Sequence, residues 1–144
     1  MFSKRDYQMA LKKLGFKQDK NSKTSGSHTR YSHSKYKNII VGIDDHKDTK
    51  EMPIKIHQEL IKSMSLLVWI ECRNSDGSLD YEKATTMLEL INKEMANEIM
   101  AKLKKLDYRS DSFLLKLLSK KLVAEISKSK PAKDNVSILD YILN

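Results

Sequence analysis

The sequence predicts an α+β protein: a helix, three strands and a second helix over residues 1–65, followed by a mainly helical region over 66–144. Three observations carry that reading. Tyr7, Ala10, Leu11 and Leu14 recur at helical spacing directly after a capping pair, Ser3 and Asp6. Two short stretches, 27–34 and 38–43, are rich in strand-forming residues and are separated by Lys35-Tyr36-Lys37 as a turn. Beyond residue 78 apolar residues recur at three- and four-residue steps for long distances.

Each element has its own local warrant. Gly15 follows the first helix where a left-handed C-terminal residue is needed. Phe16-Lys17-Gln18 reads as the first strand, and residues 19–25, rich in Asn, Ser, Thr and Lys, read as a turn or loop. Strands over 27–34 and 38–43 follow, then a polar connection over 44–51. Pro53 is placed to open a helix that carries Ile56, Leu60, Ile61 and Met64 on one face. Leu66-Leu67-Val68-Trp69-Ile70 is continuously apolar and must be buried, as a continued helix or a short strand. Residues 73–78 break the chain, and Asp80 caps a long helix to about Leu106 through Ala84, Met87, Leu88, Ile91, Met95, Ile99 and Leu103. A further helix is expected over 110–127, and a final apolar segment over 136–143. These helices are expected to pack as a small bundle on Trp69, with Met87, Met95 and Met100 as ordinary core.

Composition narrows the function classes. The chain has 144 residues, 40% hydrophobic and 32% charged, which suits a soluble fold of one domain or two small ones. No apolar run is long enough for a membrane span, and the N-terminus lacks the apolar core of a signal peptide. The single cysteine, Cys72, excludes an intramolecular disulfide and a zinc knuckle, and a reducing cytoplasm is the expected location. The net charge of +8 is concentrated: residues 3–37 hold 10 Lys and Arg against 2 Asp and Glu. Residues 65–144 hold 13 against 12. A basic face that local suits phosphate groups, and RNA is the expected partner. Lys12, Lys13, Lys17, Lys20, Ser27, Arg30, Lys35 and Lys37 are the residues expected to contact it.

Strand alternation then gives the second strand a direction. Thr29 and Tyr31 share one face, while His28, Arg30 and Ser32 share the other. With Tyr31 packed against Ile39, Val41 and Ile43 beneath the two helices, His28 and Arg30 look out from an uncovered sheet face. A histidine titrates near neutrality, so His28 beside cations can serve as acid or base toward a phosphodiester.

The order Leu14-Gly15-Phe16, Gly26-Ser27-His28 with Tyr31, an apolar strand, His46, and a helix opening near Pro53 resembles the HicA toxin family over residues 3–65. That resemblance implies a fold like the double-stranded RNA-binding domain and the activity of an mRNA interferase, an endoribonuclease of a bacterial toxin–antitoxin system. It implies His28 as the catalytic histidine and a HicB-like antitoxin protein as a partner. Thr29 stands where many members carry a second histidine. No metal or other cofactor is expected, because a histidine can accept the 2′-hydroxyl proton while Arg30 and Lys17 stabilise charge on the phosphate.

The remaining histidines carry smaller expectations. Alternation puts His33 on the face opposite His28; His46 falls in the connection before the second helix, where the resemblance implies a residue that contacts the RNA; and His57 is expected to be partly exposed on that helix. Residues 66–144 resemble no recognised family. As a dimerisation surface, an antitoxin-docking surface or an internal cover over the sheet, they are expected chiefly to mediate interaction or oligomerisation. The alternative function is a non-catalytic RNA-binding module whose helical region recruits a protein.

Overall fold

The structure of the chain, a computed structural model, describes residues 2–19, 28–44, 53–129 and 134–144, with His28 and Asp44 described by backbone alone. Helix α1 (Lys4–Lys13) begins with the expected reciprocal cap: Asp6 N–H donates to Ser3 Oγ at 3.3 Å and Ser3 N–H to Asp6 Oδ2 at 2.9 Å. Gly15 ends it at φ +97°, and a Cβ there would lie 2.6 Å from His33 Nε2. Both the backbone angle and the close approach therefore require glycine.

Three strands follow as an antiparallel sheet in the order β1 (Phe16–Gln18), β2 (His28–His33), β3 (Ile40–Asp44). The register sets Lys17 opposite Ser32, Arg30 opposite Gly42, and Tyr31 opposite Val41. Alternation sorts the side chains as expected: Phe16, Thr29, Tyr31, His33, Val41 and Ile43 are buried, whereas Lys17 and Arg30 are exposed. Tyr31 points toward α1, where its hydroxyl accepts a hydrogen bond from Gln8 Nε2 at 2.9 Å.

Helix α2 (Ile54–Cys72) is the centre of the molecule. Residues 66–70 continue it as helix, so the expected division between residues 65 and 66 falls inside one continuous element. Leu60, Ile61, Met64, Leu66, Leu67, Val68, Trp69 and Ile70 are all buried. Every residue from Ser63 to Ile70 is buried, so this half of the helix is covered on every side. The sheet packs on one flank of α2, and α3 (Tyr81–Leu88), α4 (Lys93–Lys104) and a 3₁₀ helix (Phe113–Leu117) pack on others. Residues from both halves of the chain join one hydrophobic cluster. Met95 lies fully inside it, with Met87 and Met100 partly buried against it.

Two expected helices are corrected. The segment from Asp80 to Leu106 is α3 and α4, because Asn92 Oδ1 caps a new start by accepting from the Glu94 and Met95 N–H groups at 2.9 and 3.3 Å. With this break, Ala84 and Leu88 join Met95, Ile99 and Leu103 in the core. Residues 110–127 likewise divide. The chain leaves the 3₁₀ helix at Leu118 in an extended conformation, and α5 (Lys120–Ser129) starts afresh with Ser119 Oγ accepting from Leu122 N–H at 3.1 Å. Asp134 caps the final helix, α6 (Asn135–Leu143), through Ser137 N–H at 2.8 Å. Trp69 packs edge-on against Phe113 with ring centroids 5.0 Å apart and donates its indole N–H to the Gly77 carbonyl at 3.1 Å. No helix among the described residues is long and apolar enough to cross a membrane.

Candidate nucleic-acid interface

The exposed face of the sheet gathers a small polar group around β2. Asp19, just beyond β1, accepts from Ser32 Oγ at 2.7 Å and pairs with Arg30 Nε at 3.2 Å. Its backbone N–H donates to the Arg30 carbonyl at 2.9 Å, which fixes the carboxylate beside the strand. Lys17 lies across from Ser32 in the register, so Lys17 and Arg30 share this face. The backbone of His28 begins β2 opposite Asp44, at the end of the strand away from the β2–β3 turn. Lys20, Ser27 and His46, also expected at the site, lie outside the described residues.

Other expected contacts are not brought to this face. Lys35 sits in the turn after β2, seven residues from His28 and beyond the far end of a strand that spans roughly 17 Å. Its ammonium lies 3.5 Å from Glu71 Oε1 and 5.3 Å from the Tyr36 ring centroid, on the side of α2. Burial pushes the Glu71 carboxyl up, but its contacts with Tyr36 and then Lys35 outweigh burial and hold it below its ordinary value. Lys37 is exposed in the same turn. Lys12 and Lys13 occupy the last exposed turn of α1, and Lys13 lines a separate cleft with Glu71, Asp80 and Lys83. Lys17 and Arg30 are thus the described cations of the expected set that share the β2 face.

Two histidines are structural. His33 is buried on the opposite face from Arg30, as alternation required. Its Nε2–H donates to the Leu14 carbonyl at 2.9 Å, while Nδ1 accepts from the Lys35 and Tyr36 backbone N–H groups at 3.1 and 3.2 Å. His57 is buried too, which corrects the expected partial exposure. It lies 2.5 Å from the Tyr7 hydroxyl through Nδ1 and 2.5 Å from Glu98 Oε1 through Nε2. This chain of tyrosine, histidine and carboxylate has the composition of an acid/base relay, but Tyr7 is wholly enclosed. Its hydroxyl cannot meet a substrate, so the relay ties α1, α2 and α4 together. The signal was present in the sequence, since residues 57, 60, 61 and 64 share one helical face.

The sheet face is also less open than alternation alone implies. The start of α5 lies beside β3, and together with α2 they bound a cleft of about 370 Å³. Lys120 N–H donates to Glu59 Oε2 at 2.7 Å, which anchors α5 to α2. Lys121 then extends over the sheet, its Nζ 3.6 Å from where a Cβ on Gly42 would stand. Gly42 is the register partner of Arg30, so Lys121 joins Arg30 on one face. Sequence reasoning missed Lys121 because nothing local to the near-neutral C-terminal region indicates what it packs beside.

No group of three or more His, Cys, Asp or Glu side chains placed to hold a metal ion occurs among the described residues. No protein-family model, curated protein or solved structure matches the chain.

Proposed function

We propose that the chain is a toxin-type endoribonuclease that binds RNA across the exposed sheet face and cuts it with His28 as acid/base. The observation that carries this reading is the sorting of the three-stranded sheet: two helices cover one face while Lys17 and Arg30 lie on the other. The helix, three strands and helix of residues 4–72 also follow the element order of the double-stranded RNA-binding domain, in keeping with the resemblance of residues 3–65 to HicA toxins. Thr29 is compatible with that reading. It is buried on the opposite side of β2 from Arg30, so a second histidine at that position would not face the cations.

The chemistry follows from RNA itself. His28 accepts the proton of a 2′-hydroxyl, whose oxygen attacks the adjacent phosphorus. The bond to the 5′-oxygen breaks, leaving a 2′,3′-cyclic phosphate and a 5′-hydroxyl that takes up a proton. Arg30 and Lys17 stabilise the charge that accumulates on the phosphate oxygens. A positioned general base contributes about 10²–10⁴-fold, and His28→Ala is expected to lose about that much cleavage rate.

Expression of the intact protein and of His28→Ala in a bacterial host, with growth and transcript levels followed, tests the proposal. Growth arrest with transcript loss for the intact protein alone is the expected result. If both are harmless, and the purified protein binds RNA without cutting it in the presence of a chelator, the enzyme reading fails. The second reading, an RNA-binding module whose helical region recruits a protein such as a HicB-like antitoxin or a second copy of the chain, then stands in its place.

A further inference from the structure

Lys121 and Arg30 come from opposite ends of the chain, yet the fold sets them over the same bare stretch of backbone. Leu122 is buried and Lys120 N–H is held by Glu59, which fixes the first turn of α5 and carries the Lys121 side chain toward β3. Between the two cations stands Gly42. Any larger residue would occupy the space that its missing side chain leaves beneath Lys121 Nζ. Arg30 uses Nε for Asp19, which leaves its two Nη groups as donors. Among the described residues no carboxylate forms an ion pair with Lys121.

We infer that Arg30, Lys121 and the open backbone at Gly42 form a phosphate subsite for one phosphodiester of a bound RNA strand, completed by the C-terminal region. This rests on the RNA-binding reading above. Arginine supplies paired planar donors and lysine a compact positive charge, a combination that suits a tetrahedral phosphate. Burial and then the nearby Arg30 charge lower the proton affinity of Lys121, while Glu125 and Asp19 act in the opposite sense. An incoming phosphate relieves the repulsion between the two cations. The C-terminal region thereby gains a second task besides interaction: it finishes the nucleic-acid surface.

The test is the salt dependence of binding of a 2′-O-methyl oligouridine, which cannot be cut through its 2′-oxygen. Lys121→Met is expected to reduce the slope of log K against log salt by about 0.7, the loss of one phosphate contact on a single strand. Lys121→Arg is expected to keep the slope, and Gly42→Leu, which leaves both cations but fills the space between them, to weaken binding. Thermal unfolding of each variant separates lost contact from lost fold. An unchanged slope in Lys121→Met, with intact binding in the parent protein, overturns the subsite and leaves the RNA reading in place. If the parent binds no oligouridine, the RNA reading itself falls. The Gly42 amide resonance under inorganic phosphate then decides the subsite: a shift that Lys121→Met abolishes retains it, and no shift removes it.

Discussion

The imidazole of His33 has both nitrogens committed, and this gives the protein a defined response to acid. With Nε2–H donating to Leu14 and Nδ1 accepting from two backbone N–H groups, the ring is neutral, and a proton on Nδ1 would break both accepted bonds. Burial is the largest influence and lowers the His33 pKa from 6.5; Lys35 adds to the effect, while the Leu14 carbonyl and Glu71 oppose it. The unfolded chain therefore binds the proton more readily, so the stability from this site is complete above about pH 6.5 and is lost as pH falls toward the folded value. Urea midpoints measured from about pH 7.5 to about pH 5 should fall, with this one site contributing at most about 1.4 kcal/mol per pH unit. His33→Gln should be less stable at neutral pH and should show a flatter profile; identical profiles would overturn the assignment. Alternation made the direction of His33 legible in the sequence. Its Leu14 partner was not legible, because that carbonyl is brought to it by the β1–β2 pairing, which sets Phe16 opposite His33.

Caps explain which elements the sequence revealed and which it disguised. Ser3 with Asp6, Gly15 and Pro53 each act on their own neighbours in the chain, so α1 and the start of α2 could be placed from local pattern alone. Apolar periodicity, by contrast, runs without interruption from Ala84 to Leu103 although the helix breaks at Asn92. Both α3 and α4 turn their apolar stripes toward α2, so the break leaves the spacing looking continuous. Asn92 was the available signal, as an asparagine is favoured at a helix start but costs helix propensity in the interior. Asn92→Ala leaves the Glu94 and Met95 N–H groups without this acceptor and is expected to cost about 1 kcal/mol, read as a lowered urea midpoint at unchanged slope. A stability equal to that of the intact protein would mean that α3 and α4 are set by packing alone.

Helix α2 decides how the molecule holds together as a whole. Its buried residues run from His57 to Cys72, facing the sheet along one side and α3, α4 and the 3₁₀ helix along others. The sequence left this open, since a short apolar run such as 66–70 reads equally as buried helix or strand. If each half of the chain were its own folding unit, α2 would have to unfold with one half and leave the other with exposed Leu, Val and Trp side chains. Burial of one large apolar side chain contributes about 1.5–3 kcal/mol, so uncovering several of them exceeds what a small domain can lose and stay folded. The two halves are therefore expected to unfold together. Trp69, the single tryptophan, reports on the helical side of α2 through its packing on Phe113, while Tyr36 and Tyr31 belong to the sheet. Trp69 fluorescence and far-ultraviolet circular dichroism should give coincident urea transitions in the full chain. Leu103→Ala, a cavity beneath α4, should shift both to lower urea by the same amount, corresponding to about 2–5 kcal/mol. Separate midpoints, or a Leu103→Ala shift confined to the tryptophan signal, would show that the sheet survives without the helical region and would support two units divided near residue 65.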